Sequence, residues 1–269
     1  MSEEAAAVLE ITPDQSPTAA STEISRPFLR FTKITFGICL YAALAAVYYL
    51  IPNKRLLSLG QLRFTVDALL EGLFTVLSLP AFYLVHRYGM TTFEENAAFN
   101  VPELPIDLWV LGSIILIALG NGIHLTSKLA EQILATTGGQ SDPAGARDIH
   151  FLRQMVGHVT PHIGWQLLIV GLMLSQFKWP HRGKSRSPNN LIPFWGMIFG
   201  LLFAQGAIAA GCTELGFVLT AISLIAFSYL AYVSKLPSHE IPVQRFFMAG
   251  QISFLSVMIV YWSMHHLRI

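Results

Sequence analysis

Charge is scarce in this chain, and long stretches of it carry none. Lys, Arg, Asp and Glu together make up 12% of the 269 residues, whereas hydrophobic residues make up 53%. Soluble domains typically carry about 25% charged residues. A composition so poor in charge excludes an ordinary soluble fold and indicates a protein that crosses a membrane several times.

Several motifs of catalysis and binding are also missing. The sequence has no G-x-x-x-x-G-K-[ST] loop, no G-x-S-x-G elbow and no cysteine-rich metal motif, so nucleotide hydrolysis, a serine-hydrolase fold and iron–sulfur chemistry lack support. A net charge of +1 predicts no nucleic-acid partner. The last apolar stretch, residues 245–264, contains no lysine that could bind retinal as a Schiff base.

Apolar residues are gathered into seven stretches, each close to the about 20 residues that a spanning helix needs. They cover residues 34–51, 64–85, 106–127, 155–176, 191–211, 214–234 and 245–264. The long alternation of apolar and polar residues that is typical of membrane β-barrels does not occur. The sequence therefore predicts an all-α fold, in which residues 30–269 form a bundle of seven transmembrane helices.

Residues 1–29 have a different composition, rich in Ser, Thr, Pro, Ala and acidic residues and poor in large apolar ones. Such a segment cannot form a core, so we expect a disordered N-terminal tail. It has no basic start followed by an apolar run, so we expect no cleaved signal peptide. Lys and Arg are more frequent beside the segment ends that would share a membrane face with this tail, which predicts a cytoplasmic N-terminus.

Ionisable side chains fall near one membrane face once the seven segments are laid across a bilayer in alternating directions. This face lies opposite to the N-terminus, and such residues inside a membrane indicate a functional site. The residues concerned are Asp67, Glu71, His124, His158, His162, Glu214, His265 and His266. Glu214 falls in a short turn, where a charge is easily solvated. His265 and His266 are adjacent, so their side chains point about 100° apart on a helix and at most one of them joins a site.

The histidines of this face have a spacing that suits a metal. His158 and His162 form an H-x-x-x-H pair, which places two imidazoles on one side of a helix. His124, at similar depth on the neighbouring segment, follows the Gly-Asn-Gly run 120–122, which predicts that it faces the bundle interior. Zinc in catalytic sites takes three protein ligands and a water. Pro161 either kinks a continuous helix or begins a new one, and in the second case the spacing argument fails.

Two carboxylates accompany these histidines at the start of the second segment. Asp67 and Glu71 are four residues apart, which places them on the same side of a helix. Glu71 is the deeper of the two, and we predict that it is the general base beside a metal-bound water. We predict that Asp67 orients a ligand histidine. At the same face, Arg153 and Lys128 either anchor their helices at the interface or receive an anionic head group.

Other polar and small residues are predicted to be structural. Gly196, Gly200 and Ala204 recur every four positions and predict a smooth stripe for close helix packing. Gln205 and Gln251 are expected to hydrogen-bond across helices. On the face opposite to the ionisable cluster stand histidines that are interpreted as solvated loop residues without a role: His86, His181 and His239.

Seven spanning segments, intramembrane histidines, the pair His158 and His162, and nearby acids resemble the CREST superfamily of membrane hydrolases, which includes alkaline ceramidases and adiponectin-type receptors. In that family the histidine pair lies in the last helix, whereas here it lies in the fourth segment. The resemblance implies zinc chemistry that cleaves an amide or an ester. The leading hypothesis is therefore a zinc-dependent hydrolase that acts on a membrane lipid.

Two other functions explain the same residues. His and Glu side chains at one depth form proton relays in membrane proteins, which would suit a proton-coupled transporter or sensor. Paired histidines on adjacent helices can also ligate a haem iron axially, as in membrane electron carriers. A purely structural polar cluster is the remaining interpretation.

Overall fold

The computed structural model describes residues 56–59, 62–65, 83, 86–87, 102–136, 143–180, 191–238 and 240–266. Two strands come first, β1 (Leu56–Leu59) and β2 (Leu62–Thr65). The described helices are α1 (Glu103–Thr136), α2 (Pro143–Phe151), α3 (Gly157–Lys178), α4 (Leu191–Ala209), α5 (Thr213–Ser234) and α6 (Pro242–His266). A π-helical turn, Leu152–Val156, joins α2 to α3. The predicted tail, residues 1–29, and the first predicted spanning segment, residues 34–51, lie outside these ranges.

Four helices are long and apolar enough to cross a membrane, which indicates an integral membrane protein. They are Glu103–Leu134, Ile192–Ala209, Thr213–Ser234 and Pro242–His265. These spans correspond to the predicted third, fifth, sixth and seventh segments. The predicted fourth segment corresponds to α3, which is more polar because it carries two histidines and two glutamines among its 22 residues.

A short hairpin is the one non-helical element in the described part of the chain. β1 and β2 pair antiparallel, with Leu56 opposite Thr65. Only residues 60 and 61 separate the strands, and a two-residue connection containing glycine is typical of β-hairpins. The predicted helix over 64–85 is therefore wrong at its first two residues, which belong to β2. Most of the remainder of that segment lies outside the described residues.

The charge-free part of α1 has the length of a bilayer core. Between Asp107 and Lys128, the twenty residues 108–127 include no Asp, Glu, Lys or Arg. At about 1.5 Å per residue this run is about 30 Å long, which matches the hydrocarbon thickness of a membrane. On α3 the corresponding run lies between Arg153 and Lys178. Lys128 and Arg153 therefore mark one membrane boundary, which we call the histidine-side boundary because His124 lies one turn inside it.

The helices α1 and α3 pack antiparallel, with close contacts from Trp109 to His124 on α1. Their contacts pair ascending positions on α1 with descending positions on α3: Trp109 with Gly171, Ile117 with Gly164, Gly120 with Pro161, and His124 with Gly157. The indole of Trp109 also donates to the Leu167 carbonyl at 2.8 Å. Each of the four backbone contacts has glycine on one side, because a residue without Cβ lets the two backbones come close together.

A second close helix pair is formed by α4 and α6. A Cβ at Gly196 would overlap the carbonyl oxygen of Phe246, and one at Gly200 would overlap that of Gly250. Ala204 is fully buried one turn further along α4. The predicted stripe of small residues is therefore found where the two helices touch.

Buried glutamines connect α5 with α3 and with α6. The Nε2 of Gln251 donates to Ser223 Oγ at 2.6 Å, as expected of a glutamine inside a bundle. Gln166 makes the equivalent bond to Thr220 Oγ1 at 2.7 Å. Gln205, for which a similar bond was predicted, is exposed on α4.

The turn between α4 and α5 buries a thiol. Gly211 has φ +68°, a conformation that suits glycine, and Cys212 follows it. Burial raises the pKa of the Cys212 thiol, and the charge of Glu214 raises it further.

Because the thiolate is the reactive form, we expect Cys212 in a Cys39→Ser variant to be alkylated at least about tenfold more slowly at neutral pH than a free cysteine. Timed maleimide labelling followed by mass spectrometry measures this; labelling at the free rate would contradict it.

Candidate metal site: a histidine pair between two helices

Two of the three predicted metal ligands meet across the interface of α1 and α3. The ring centroids of His124 and His158 are 4.4 Å apart, and their planes are inclined by 50°. The approach depends on Gly157, where a Cβ would stand 2.9 Å from the Cα of His124. Close contact of Gly120 with Pro161, one turn deeper, has the same effect. Small residues on both helices therefore bring the two imidazoles together.

The third predicted ligand lies on the same helix but faces another neighbour. His162 is buried, and its ring meets Phe203 of α4 edge to face at a centroid distance of 5.0 Å. Pro161 lies inside α3, so His158 and His162 share one helix with the predicted spacing. In the part of the chain that the structure describes, no three His, Cys, Asp or Glu side chains are grouped closely enough to hold a metal.

A π-helical turn places a backbone group against the histidine pair. The Gly157 amide bonds to the Leu152 carbonyl, five residues earlier, and such turns occur often at functional sites. The backbone of Arg153, the second residue of this turn, lies within hydrogen-bonding reach of the His124 ring. A neutral imidazole that donates through one nitrogen keeps a lone pair on the other. Ligand histidines in metal sites are oriented by backbone bonds of this kind.

An ionic cluster closes the site at the histidine-side boundary. The guanidinium of Arg153 pairs with Glu131, which lies two helical turns beyond His124 on α1. His150 Nδ1 is 3.7 Å from the same carboxylate. These side chains are half-buried or exposed, so the ion pairs contribute at most about 1 kcal/mol each. Their effect is to hold the π-helical turn against the end of α1.

The remaining predicted site residues do not join the pair in the described structure. Glu214 lies in the first turn of α5, where a negative charge is favoured by the helix dipole. His265 is exposed, and its ring lies 4.5 Å from that of Tyr261 between centroids, tilted by 56°. Asp67, Glu71 and the side chain of His266 lie outside the described part of the structure.

A second polar cluster occupies the other end of the same helix pair, and it corrects the interpretation of His86 as a solvated residue. His86 is completely buried. Its Nε2 lies 2.5 Å from Asp107 Oδ1 at the start of α1, and its Nδ1 lies 3.1 Å from Ser175 Oγ near the end of α3. The interpretation was wrong because these partners are distant in sequence and could not be seen from the residues beside His86.

Arg87 extends this second cluster to the surface. It pairs with Glu103 and, at 3.2 Å, with Asp107. The hydrogen bond to Glu103 raises the pKa of the Arg87 guanidinium above its ordinary value. His86 and Arg87 are thereby linked to α1 and, through Ser175, to α3.

Removal of the His86 imidazole should destabilise the bundle. In a His86→Ala variant, Asp107 keeps Arg87 and the Ser175 hydroxyl keeps the Gly171 carbonyl, but each loses its bond to the imidazole. Two hydrogen bonds at about 0.5–1.5 kcal/mol each amount to about 1–3 kcal/mol. The free energy of unfolding in detergent should fall by that amount. His150→Ala is the matched control, because the side chain of His150 is 64% exposed. Equal stability of the two variants would show that the buried network contributes nothing.

Comparison of the chain with protein-family models, curated proteins and solved structures finds no match. Function must therefore be inferred from the chemistry of its own residues. Two imidazoles as close as His124 and His158 can bind one metal ion together or pass a proton from one to the other. Both functions are compatible with a position near a membrane boundary.

Proposed function

We propose that this protein is a zinc-dependent hydrolase of membrane lipids, with the metal held by His124, His158 and His162. The observation that carries the proposal is the 4.4 Å separation of the first two rings. With zinc–nitrogen bonds of about 2.0–2.1 Å, two imidazoles on a tetrahedral zinc have centroids about 5 Å apart. The observed pair is within 1 Å of that spacing, so both rings can bind one ion after a small adjustment.

The same distance favours zinc over the haem alternative. Axial histidines stand on opposite sides of the haem iron, which places their ring centroids about 6 Å apart with the porphyrin between them. Rings at 4.4 Å leave no space for that macrocycle. His162 must change its rotamer to complete a zinc site, because its ring faces Phe203 in the structure.

The distance along the helix axis between the His86–Asp107 cluster and the histidine pair supports a catalytic role for Glu71. Glu71 is fifteen residues before His86, and His124 is seventeen residues after Asp107, the partner of His86. At about 1.5 Å per residue these intervals are about 23 Å and about 26 Å. A helix over the predicted second segment, held at His86, would therefore bring Glu71 to the level of the histidine pair, with Asp67 one turn nearer the boundary.

The proposed residues divide the chemistry as follows. A bound zinc would be held by the three histidines and would supply a Lewis acid that activates water. Glu71 would serve as the general base, and Asp67 would hydrogen-bond a ligand histidine to orient it. In the full proposal seven helices span the membrane, the N-terminus is cytoplasmic and the site lies at the opposite face. The resemblance to the CREST hydrolases supports the same reaction.

Metal analysis joined to an activity assay tests the proposal. Protein purified in detergent should contain about one zinc per chain and should release fatty acid from a lipid amide or ester in mixed micelles. A chelator should abolish the release, and added zinc should restore it. A Soret band in the purified protein, or lipid cleavage that persists after complete removal of metal, would refute the zinc hydrolase.

The second polar cluster favours proton transport as the second candidate. Buried His86 with Asp107 lies at one end of the α1 and α3 pair, and His124 with His158 lies about 26 Å away at the other end. Ionisable groups at both membrane faces can form the two ends of a proton path. Proteoliposomes with an internal pH dye and a zinc chelator distinguish this candidate, because a hydrolase without its metal would leave an imposed pH gradient intact.

A further inference from the structure

The hydroxyl of Ser175 has one proton and two acceptors within reach. Its Oγ lies 2.8 Å from the Gly171 carbonyl oxygen and 3.1 Å from Nδ1 of His86. A bond to the carbonyl four residues earlier is common for hydroxyls on helices. On the described helices this bond is also made, at 2.7–2.9 Å, by Ser113, Thr126, Ser256 and Ser263. Which acceptor receives the Ser175 proton therefore depends on the state of the imidazole.

Counting the protons on the His86 ring gives two states of this cluster. The ionised Asp107 carboxylate only accepts, so Nε2, which is 2.5 Å from Oδ1, carries a proton in both states. When Nδ1 is unprotonated, the ring is neutral and Ser175 donates to it. When Nδ1 is protonated, it donates to Ser175 Oγ, and the Ser175 proton turns to the Gly171 carbonyl. Every group has a partner in either state, because a helical carbonyl also accepts the backbone N–H four residues later.

The charge nearest to His86 favours the protonated ring. In the described part of the chain, the titratable side chains that contact His86 or its direct neighbours are Tyr83, Arg87, Glu103, Asp107 and Lys178. Asp107 touches the imidazole itself, whereas Arg87 has Glu103 as a second partner. The Lys178 ammonium is further away, over the Trp179 ring, whose centroid is 6.4 Å from that of His86. The Asp107 carboxylate is therefore the main electrostatic partner of an added proton.

We propose that His86 is a proton-binding site at the membrane boundary opposite to the histidine pair, with the Ser175 hydroxyl as its switch. The hydroxyl turns from Nδ1 to the Gly171 carbonyl when a proton binds, and it turns back when the proton leaves. The side chain of Asp107 is 21% exposed, so the cluster has contact with water. Proton binding requires no zinc, and of the two candidate functions only proton transport would use it.

Nitrogen NMR of the full-length protein tests this inference. Protein labelled with the heavy nitrogen isotope in its histidine rings is placed in lipid nanodiscs with a zinc chelator. Spectra are recorded between about pH 5 and about pH 8, the range in which histidine changes its charge. The signals of His86 are those that are missing in a His86→Gln variant. Protonated and unprotonated ring nitrogens have well-separated signals, so the two states can be counted directly.

We expect Nε2 to keep its proton over the whole range and Nδ1 to gain one as the pH falls. An Asp107→Asn variant should bind this proton at a pH at least about one unit lower, because the nearest negative charge is gone. Ser175→Ala should also bind it at lower pH, since the charged ring loses the acceptor of its stronger, charge-assisted hydrogen bond. Ser256→Ala is the matched control: it removes an exposed hydroxyl that bonds the Ile252 carbonyl of α6, and the titration should not change.

A His86 ring that keeps one protonation state over the whole range would overturn the inference. A titration that is the same in Ser175→Ala as in the original protein would overturn the switch. Proton binding by His86 in a protein that is purified without zinc and leaves a pH gradient intact would confirm the inference and refute both candidate functions. The failures of the inference and of the proposed function are therefore distinguishable.

Discussion

Replacement of His124 or His158 by alanine is expected to abolish stoichiometric zinc and the lipid hydrolysis that depends on it. Loss of residues that only orient a ligand already weakens metal binding by about 10–100-fold, so loss of a ligand should weaken it more than about a hundredfold. Elemental analysis and competition with a chromophoric chelator measure the change. His150→Ala, at an exposed histidine beside Glu131, should keep its zinc.

The His162→Ala variant distinguishes two possible roles of this histidine, metal ligation and packing against Phe203. If His162 turns to become the third ligand, zinc affinity should fall as steeply as in the other two variants. If it serves only to pack against Phe203, zinc should stay and the free energy of unfolding should decrease. The proposal predicts the first result. Retention of zinc in all three alanine variants would refute the site altogether.

The helices were predictable because membrane insertion imposes a simple pattern on the sequence. Long apolar runs identified α4, α5 and α6 to within three residues at each end, since hydrocarbon excludes charge over a fixed length. α1 is longer than its apolar run because its last turns extend past Lys128, beyond the hydrocarbon. The β1–β2 hairpin and the π-helical turn depend on local hydrogen bonds that hydropathy does not detect.

The positions of the three histidines along their helices follow from the sequence, but the directions in which their side chains point around each helix do not. Antiparallel segments of known length place His124, His158 and His162 near one face, whatever their neighbours are. Which rings meet depends on the rotation of each helix about its own axis. The close contacts of Gly157 and Gly120 determine that rotation. The buried role of His86 was missed for a related reason, because its partners belong to helices that begin well after it in the chain.

Addition of a single methyl group at Gly200 is expected to weaken the whole α4–α6 pair. In a Gly200→Ala variant the new Cβ overlaps the Gly250 carbonyl oxygen, so the two backbones must separate. Such overpacking costs about 1–3 kcal/mol, measured as the free energy of unfolding in mixed micelles. A Gly196→Ala substitution in the same protein should add to the cost, because it strikes the Phe246 carbonyl one turn away.

Gly206→Ala is the matched control on the same helix, since nothing lies within 4 Å of a Cβ there. Alanine is a better helix former than glycine by about 1 kcal/mol, so this variant should be as stable as the original protein or more stable. Equal losses at Gly200 and Gly206 would mean that the close contact contributes nothing. Separation of α4 from α6 should also displace Phe203 from His162, so the folded fraction of Gly200→Ala should bind zinc with altered affinity if that histidine is a ligand.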